Sequence, residues 1–421
     1  MTQGNLILED VKIVTPLGDK AAKGVQMKDL HIVEDASIII KDGIITYAGK
    51  ASDCDISVNK GEYVNLKCKG NVVLPGFIDS HTHLVFGGFR IDEFEWRLKG
   101  DSYMSIMERG GGIQSTVDAT REISKDDLIV KTRWFLDKIS EMGVTTVEVK
   151  SGYGLDLETE MKILDVISEL NASPHKKQEI VSTYMGAHAI PKEFNGNAEA
   201  YIDFIIDNLS QFKDKAKFCD IFCEKNVFEL QDSRRLLEEA KRLGYGIKLH
   251  ADEIVSLGGA ELAADLDATS ADHLLHISEE GIKRMSEKGV VATLLPLTAF
   301  ALKEPYAPAR KFIDTGCAVA LATDLNPGSC FSGSIPLTIA LACIYMNMTI
   351  EEVITALTLN GAAALGLAHK VGTIEKGKRG DLLILGCDNY KVLPYFVGMN
   401  CVKSTIFHGR LVYDSVGMLK L

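Results

Sequence analysis

Apolar positions fall into two regimes along the chain. Near its start, NLILEDVKIV, SIIIKDGIITYAG and EYVNLKCKGNVVLPG are short runs rich in β-branched residues and broken by glycine, the pattern of strands. The tail is alike, with GTIEKGKRGDLLILG followed by KSTIFHGRLVYD. Strands at both ends around a different middle predict a small β-sandwich-like domain built from residues 1–75 and 371–421. Residues 76–370 alternate instead. Eight apolar runs of strand length occur there: GFIDSHTH, TTVEVKSGYG, IVSTYMGAHAI, FCDIFCEK, GIKLHADE, ATSADHLLH, VVATLLP and AVALATDLNPG. Between most of them lie stretches with 3.6-residue apolar spacing, such as LETEMKILDVISEL, AEAYIDFIIDNL, DSRRLLEEAKRLG and SEEGIKRMSEKG. Several open on an acidic or Ser/Asp residue and close near a glycine, as capped helices do. Alternation on this scale predicts a parallel sheet covered by helices, and eight runs match a (β/α)8 TIM-type barrel. The expected fold class is α/β.

Composition narrows the picture. A length of 421 residues suits a barrel with an accessory domain. No apolar run reaches membrane-spanning length, and MTQGNLILEDVKIV lacks a basic segment followed by a long apolar one, so neither a membrane span nor a secretory signal is expected. The formal net charge of -12 argues against nucleic-acid binding. If the substrate is an anion, the same charge demands a local cation to receive it. Nine cysteines, an odd number scattered from Cys54 to Cys401, read as reduced thiols in a cytoplasmic protein. GTIEKGK, residues 372–378, fits the first seven positions of a phosphate-binding loop. Arg379 then stands where Ser or Thr is required, and a strand-like DLLIL follows in place of a helix, so phosphate binding is not expected.

The apolar runs of the middle segment end in polar residues that a strand interior would not tolerate. They are Asp79, His81 and His83 in the first run, Lys150, Ser151 and Tyr153 in the second, and His188 in the third. His250, Asp252 and Glu253 end the fifth, Asp272 and His273 the sixth, Asp324 and Asn326 the eighth. In a barrel these ends open onto one face, which carries the chemistry. His81 and His83 are two apart on an extended segment, so their side chains point the same way and can share a metal ion. His250 and Asp324 complete a set of three nitrogens and one oxygen, suited to zinc and also to ferrous iron. His31, His175, His276, His369 and His408 lie outside this pattern and read as ordinary surface or core histidines.

GFIDSHTH resembles the metal-binding strand of the amidohydrolase superfamily, and the likeness extends over essentially the whole chain. HTHLVFGGFR, GGGIQSTVDATR, KSGYGL, MGAHAIP, LHADEI, SADHL and ATDLNPGS are similar, more narrowly, to the branch that opens 4-imidazolone-5-propanoate to N-formimidoyl-L-glutamate in histidine degradation. HxH alone is moderately specific, whereas HTHLVFGG-x-R, KSGYGL and DLNPGS together are highly so. The resemblance implies a cyclic-amide hydrolase with one bound divalent metal, Zn2+ or iron as Fe2+ or Fe3+. Its ligands would be His81, His83, His250 and Asp324. Substrate contacts would fall on Arg90, Tyr153, His188 and Glu253, with Asn326, Gly328 and Ser329 at the product end. A homodimer is implied as well. Ser80 departs from the family, where proline is common, without disturbing the ligands.

The residue types agree with that chemistry. Ring-amide hydrolysis needs a nucleophile, a polarised carbonyl and a proton for the leaving nitrogen. Glu253, three residues after His250, suits a general base that later acts as acid. His273 suits a donor to the carbonyl, and Asp324 could share the proton transfer. Arg90, after the Gly87-Gly88 pair, can grip a propanoate through two parallel hydrogen bonds and supply the cation that an acidic surface demands. Tyr153, between Gly152 and Gly154, suits the lining of a small pocket. Gly110-Gly111-Gly112 reads equally as a lid loop and as a tight turn, and Asn326-Pro327-Gly328 as a turn first and a ligand contact second. Lys150 reads as structural or electrostatic support beside a single metal.

Two other functions compete. A nucleobase deaminase of the same superfamily would use the same ligands, but a nucleobase offers Arg90 no carboxylate. The H-x-E with P-C-x-x-C signature of the unrelated zinc deaminases is absent. A non-catalytic scaffold would be expected to have lost a ligand, and all four candidates are intact.

Overall fold

Each of the eight alternating runs forms a strand in the computed structural model, which describes residues 4–54, 62–100, 109 and 111–415. The barrel strands are β5 (Phe77–Asp79), β6 (Val144–Lys150), β7 (Glu179–Ala187), β8 (Phe218–Cys223), β9 (Gly246–Ala251), β10 (Ser270–His273), β11 (Val291–Leu294) and β12 (Val319–Leu321). They pair in chain order, all parallel, from β5 to β12. Beyond the short end strands the chain itself closes the ring. His83 N donates to Leu325 O and Asp324 N to His81 O, each at 3.0 Å. Apolar residues packed under the helices on the outside, and a largely polar, buried set pointing inward, leave β5 to β12 almost wholly buried, as parallel strands covered on both faces must be.

The helical spacing holds. Leu157–Ala172, Ala198–Asn208, Leu230–Arg242 and Glu279–Lys288 are helices over the barrel. Asp156, Asn197 and Ser278 cap three of them by accepting a backbone N–H of the first turn. The connection from β5 to β6 is longer, with helices Ile91–Leu98, Ile113–Glu122 and Lys125–Glu141. It carries Arg90 and roofs one side of the barrel mouth.

Both termini build the second sheet. Its strands are β1 (Leu6–Thr15), β2 (His31–Lys41), β3 (Ile44–Lys50), β4 (Val64–Pro75), β13 (Leu382–Leu385), β14 (Val402–Phe407) and β15 (Arg410–Asp414). The order is β15-β14-β13-β4-β1-β2-β3, with β1 and β4 parallel and the other neighbours antiparallel. Alternation sorts the two faces. Leu6, Leu8, Ile38, Ile40, Leu382 and Ile384 belong to a core of the sheet's own, whereas Leu74, Leu383, Leu385 and Val402 join the main core with the barrel. Lys378 of the rejected phosphate-loop motif donates to the carbonyls of Gly18 and Ala368 just before strand β13, so its ammonium is spent on backbone. Among the described residues, no helix is long and apolar enough to cross a membrane.

Candidate metal centre and active site

Strand β5 delivers Asp79, Ser80, His81, Thr82 and His83 into the barrel mouth, all buried. The Asp79 carboxylate accepts from the backbone N–H and the hydroxyl of Thr323 at 2.9 and 2.6 Å. These bonds, with the chain closure after β12, bring Asp324 beside the histidine pair. Ring centroids of His81 and His250 lie 4.5 Å apart, those of His81 and His83 5.3 Å, and those of His83 and His250 5.4 Å. Asp324 Oδ1 is 3.5 Å from His81 Nε2 and 3.7 Å from His83 Nε2. Four side chains from three distant stretches thus meet at one point. His273 adjoins them, its ring 5.0 Å from that of His250.

The donor set fits a divalent cation. The Nδ1–H of His81 donates to Asp272 Oδ2 at 2.7 Å, and that of His250 to Asp220 Oδ1 at 3.1 Å. Each carboxylate thereby fixes the tautomer and turns an Nε2 lone pair inward, the arrangement that metal-ligating imidazoles use. His81 Nε2 is buried with no hydrogen-bond partner. Burial, reinforced by nearby Lys150 and neighbouring imidazoles, holds His81 and His83 well below the usual histidine range, so both are neutral. Neutral imidazoles are what a metal requires. Burial raises Asp324 to about 6, while Thr298 Oγ1, donating to its Oδ2 at 2.7 Å, works the other way.

Beneath this cluster lies a charged layer in which Lys150, expected as electrostatic support, and Asp272 are joined by Glu148, Asp220 and Lys248, which sequence reasoning missed. Lys150 Nζ is 2.7 Å from Asp220, 2.9 Å from Glu148 and 3.6 Å from Asp272. Lys248 Nζ contacts Glu148 at 3.0 Å and donates to Ser80 O at 2.9 Å. All these side chains are fully buried. Burial opposes the charge of Lys150, yet its three carboxylates raise it above the ordinary lysine value. Burial likewise opposes ionisation of Asp220, and Lys150 with His250 overcome it. A signal existed: Glu148 and Lys150 alternate along one strand, as do Lys248 and His250 along another, so each pair faces the barrel interior.

Arg90 reaches the mouth from the β5–β6 connection. Its guanidinium rests on Gly328, where a Cβ would stand 1.8 Å from Nη2. Tyr153, buried, shares a hydrogen bond with it. Glu93 lies 3.9 Å away, and Arg90 Nε is buried without a partner. His188 stacks on His83 at 4.9 Å, and its Nδ1–H donates to Gly152 O at 3.0 Å. Burial lowers His188 to about 3, leaving it neutral with Nε2 as an acceptor. Gly152 has φ +107°, and a Cβ there would meet Met185 O at 2.7 Å. Glu160 accepts from the N–H groups of Gly152, Gly154 and Leu155 at 2.7–3.0 Å, which fixes the loop that presents Tyr153.

Glu253 Oε1 lies 3.4 Å from His273 Nδ1. Burial, then the like charges of Asp324, Glu224 and Glu304, push Glu253 up to about 8. His273 and Asp324 both occupy left-handed backbone, with φ of 76° and 55°. For residues with a side chain this costs about 1–3 kcal/mol each and marks sites where geometry is imposed by the surroundings. Asp252, by contrast, is structural: its carboxylate accepts four N–H groups at the start of helix Gly259–Asp265. Asn326 spends its amide within its own turn, accepting from Gly328 N and Ser329 N at 2.8 Å and donating to Asp324 O and Ser329 Oγ. Of the glycine triplet, Gly110 lies outside the described residues, and Gly112 N donates to Glu93 ahead of helix Ile113–Glu122.

A parallel barrel with this histidine–aspartate cluster at its mouth defines a class. The profile of the amidohydrolase family matches residues 72–412, and the chain belongs to that family. Within it, the chain is 60% identical over 414 residues to the imidazolonepropionase of Phocaeicola vulgatus, covering 98% of this chain and 99% of that one. It is 60% identical to the imidazolonepropionase of Bacteroides thetaiotaomicron, covering 97% and 98%. With that of Clostridium tetani the identity is 53%, covering 98% and 99%. Among solved structures, 5-methylcytosine deaminase from Klebsiella pneumoniae superimposes with a TM-score of 0.74 at 15% identity, covering 99% of this chain and 100% of that one. Triazine hydrolase from Arthobacter aurescens gives 0.74 at 15%, covering 98% and 95%. At that identity these two share the fold alone.

Proposed function

We propose that this amidohydrolase opens the ring of 4-imidazolone-5-propanoate, adding water across the cyclic amide to give N-formimidoyl-L-glutamate. The observation that carries the reading is a guanidinium, Arg90 on its Gly328 floor, aimed into the same mouth as the histidine–aspartate cluster. Full-length identity of 60% to imidazolonepropionases supports it. A deaminase acting on a nucleobase would leave Arg90 and Tyr153 without an anion to receive.

His81, His83, His250 and Asp324 would hold one divalent cation, zinc or iron. Bound there, such a cation supplies Lewis acidity, which polarises a carbonyl and makes water a stronger acid near neutral pH. The chain's own groups do the rest. Arg90 and Tyr153 fix the propanoate, with Ser329 and the Asn326–Gly328 turn beside it, so that the ring lies over the cluster. His188 offers Nε2 as an acceptor to a ring N–H. Glu253 takes the proton of the attacking water, whose oxygen bonds to the ring carbonyl carbon. The carbon–nitrogen bond then breaks, and Glu253 returns the proton to the departing nitrogen. His273 orients Glu253 and donates towards the carbonyl oxygen, and Asp324 can share the proton.

The cytoplasmic setting is proposed with this reading, on the strength of nine cysteines that are all free. A homodimer is proposed too, and sedimentation measures it directly. The net charge of -12 supports a small anionic substrate over nucleic acid, given the local cation that Arg90 provides. The test is loss of the ultraviolet absorbance of 4-imidazolone-5-propanoate when purified metal-loaded protein is added, and its abolition by a chelator. Absence of turnover by metal-loaded protein, or ammonia release from cytosine in its place, rejects the assignment.

A further inference from the structure

Arg90 is carried on the turn Phe86-Gly87-Gly88-Phe89, and two helices grip that turn. From helix Lys125–Glu141, Lys131 Nζ donates to both Gly87 O and Gly88 O, each at 3.1 Å. The same ammonium stands 3.8 Å from the centroid of the Phe86 ring and 3.9 Å from that of Phe89. From helix Ile113–Glu122, Thr120 Oγ1 accepts from Gly87 N at 2.7 Å. A Cβ on Gly87 would stand 2.3 Å from the carbonyl carbon of Ala119. Gly87 therefore marks a close approach of two backbones.

Lys131 is an unusual choice for this place. Among the described residues no carboxylate contributes to its charge state, and burial alone lowers it to about 8. Burying a cation without a counter-ion is unfavourable, and packing alone would be met by methionine. What the ammonium adds is direction. It ties two adjacent carbonyls and two ring faces to one point on a long helix, through charge-assisted bonds and cation–π contacts. Two residues beyond Gly88 the chain delivers Arg90, whose guanidinium must land on the bare backbone of Gly328.

We propose that Lys131 is a positioning residue for Arg90: by pinning the Gly87-Gly88 turn it sets where the guanidinium stands, and so the affinity for the carboxylate arm of the substrate. The inference rests on the reading of Arg90 as the carboxylate grip. It predicts that Lys131 acts on binding of the charged arm and not on the reacting centre.

The experiment uses the full-length, metal-loaded protein and compares Lys131→Met, Lys131→Arg, Phe89→Leu and Arg90→Ala. Each is assayed with 4-imidazolone-5-propanoate and with its uncharged propanamide counterpart. Lys131→Met should raise KM for the propanoate about tenfold, equivalent to about 1.4 kcal/mol. Its kcat should stay within about twofold, its metal content should not change, and KM for the propanamide should be unaltered. Lys131→Arg should recover most of the loss. Phe89→Leu, at a position 59% exposed and safe for folding, removes one ring face and should raise KM about two- to threefold. Should Lys131→Met fail to fold, the Arg and Leu variants decide the question. Unchanged KM in Lys131→Met or Phe89→Leu, or equal losses on both substrates, overturns the proposal. If Arg90→Ala raises KM while Lys131→Met does not, only the role of Lys131 falls. If Arg90→Ala leaves KM unchanged, the carboxylate-grip reading falls with it.

Discussion

Replacing Gly328 by alanine probes the contact through which Arg90 is proposed to recognise the substrate. The added Cβ would stand 1.8 Å from Arg90 Nη2 and 2.4 Å from its Cζ. Restoring a van der Waals separation of about 3.5 Å requires the guanidinium to withdraw by roughly 2 Å. That distance removes an N–H from hydrogen-bonding range of a carboxylate. The obstacle is the end of a long side chain, so Arg90 yields rather than the fold. The φ of Gly328 lies outside the left-handed region, so alanine incurs no strain there, and stability should change by less than about 1 kcal/mol. Losing a hydrogen bond to a charged group costs about 1.5–3 kcal/mol. KM for 4-imidazolone-5-propanoate should therefore rise roughly 10- to 150-fold at nearly constant kcat. Steady-state kinetics at constant metal content, alongside a thermal melt, measure both quantities. A KM within twofold of the parent's, in a folded and metallated variant, refutes the reasoning.

Other perturbations probe the reacting centre. Glu253→Gln keeps the shape of the side chain but removes the proposed proton acceptor, and kcat should fall by roughly 10²- to 10⁴-fold with metal content unchanged. Full activity would remove Glu253 from the proton path. Asp272→Asn weakens the bond that fixes the His81 tautomer at 2.7 Å, and metal affinity in a chelator competition should drop about 10- to 100-fold. An unchanged affinity would assign Asp272 to packing alone. Stripping the cation should lower the melting temperature reversibly. Zinc at about a thousand times its dissociation constant should restore roughly 4 kcal/mol, and identical melts with and without zinc would contradict a resident ion.

Much of the architecture was legible because a covered parallel strand must be a short apolar run, and its polar residues can fall only where the run ends. That single constraint located all eight barrel strands and put His81, His83, His250 and Asp324 on one face. Contacts between distant segments were not legible. Alternation shows that Lys150 and Lys248 point inward, yet not that they share Glu148, since their partners come from other strands. Nor does local sequence reveal that Asp272 supports His81 across 191 residues, or that Gly328 is bare in order to seat Arg90. The terminal sheet was visible as strands, but its parallel β1–β4 pair and the antiparallel β4–β13 pair that joins the C-terminal strands to the N-terminal ones depend on register that composition does not encode. Asn326 read correctly as turn chemistry because its bonds are local.

The central claim is that four side chains from three distant stretches of the chain bind one cation at the barrel mouth. Anomalous diffraction from crystals of the purified protein, collected across the zinc and iron edges, tests it most directly. The account predicts a single peak about 2.0–2.2 Å from the ligating atoms of His81, His83, His250 and Asp324. A peak coordinated elsewhere, or none at these residues in protein that turns over substrate, would contradict it.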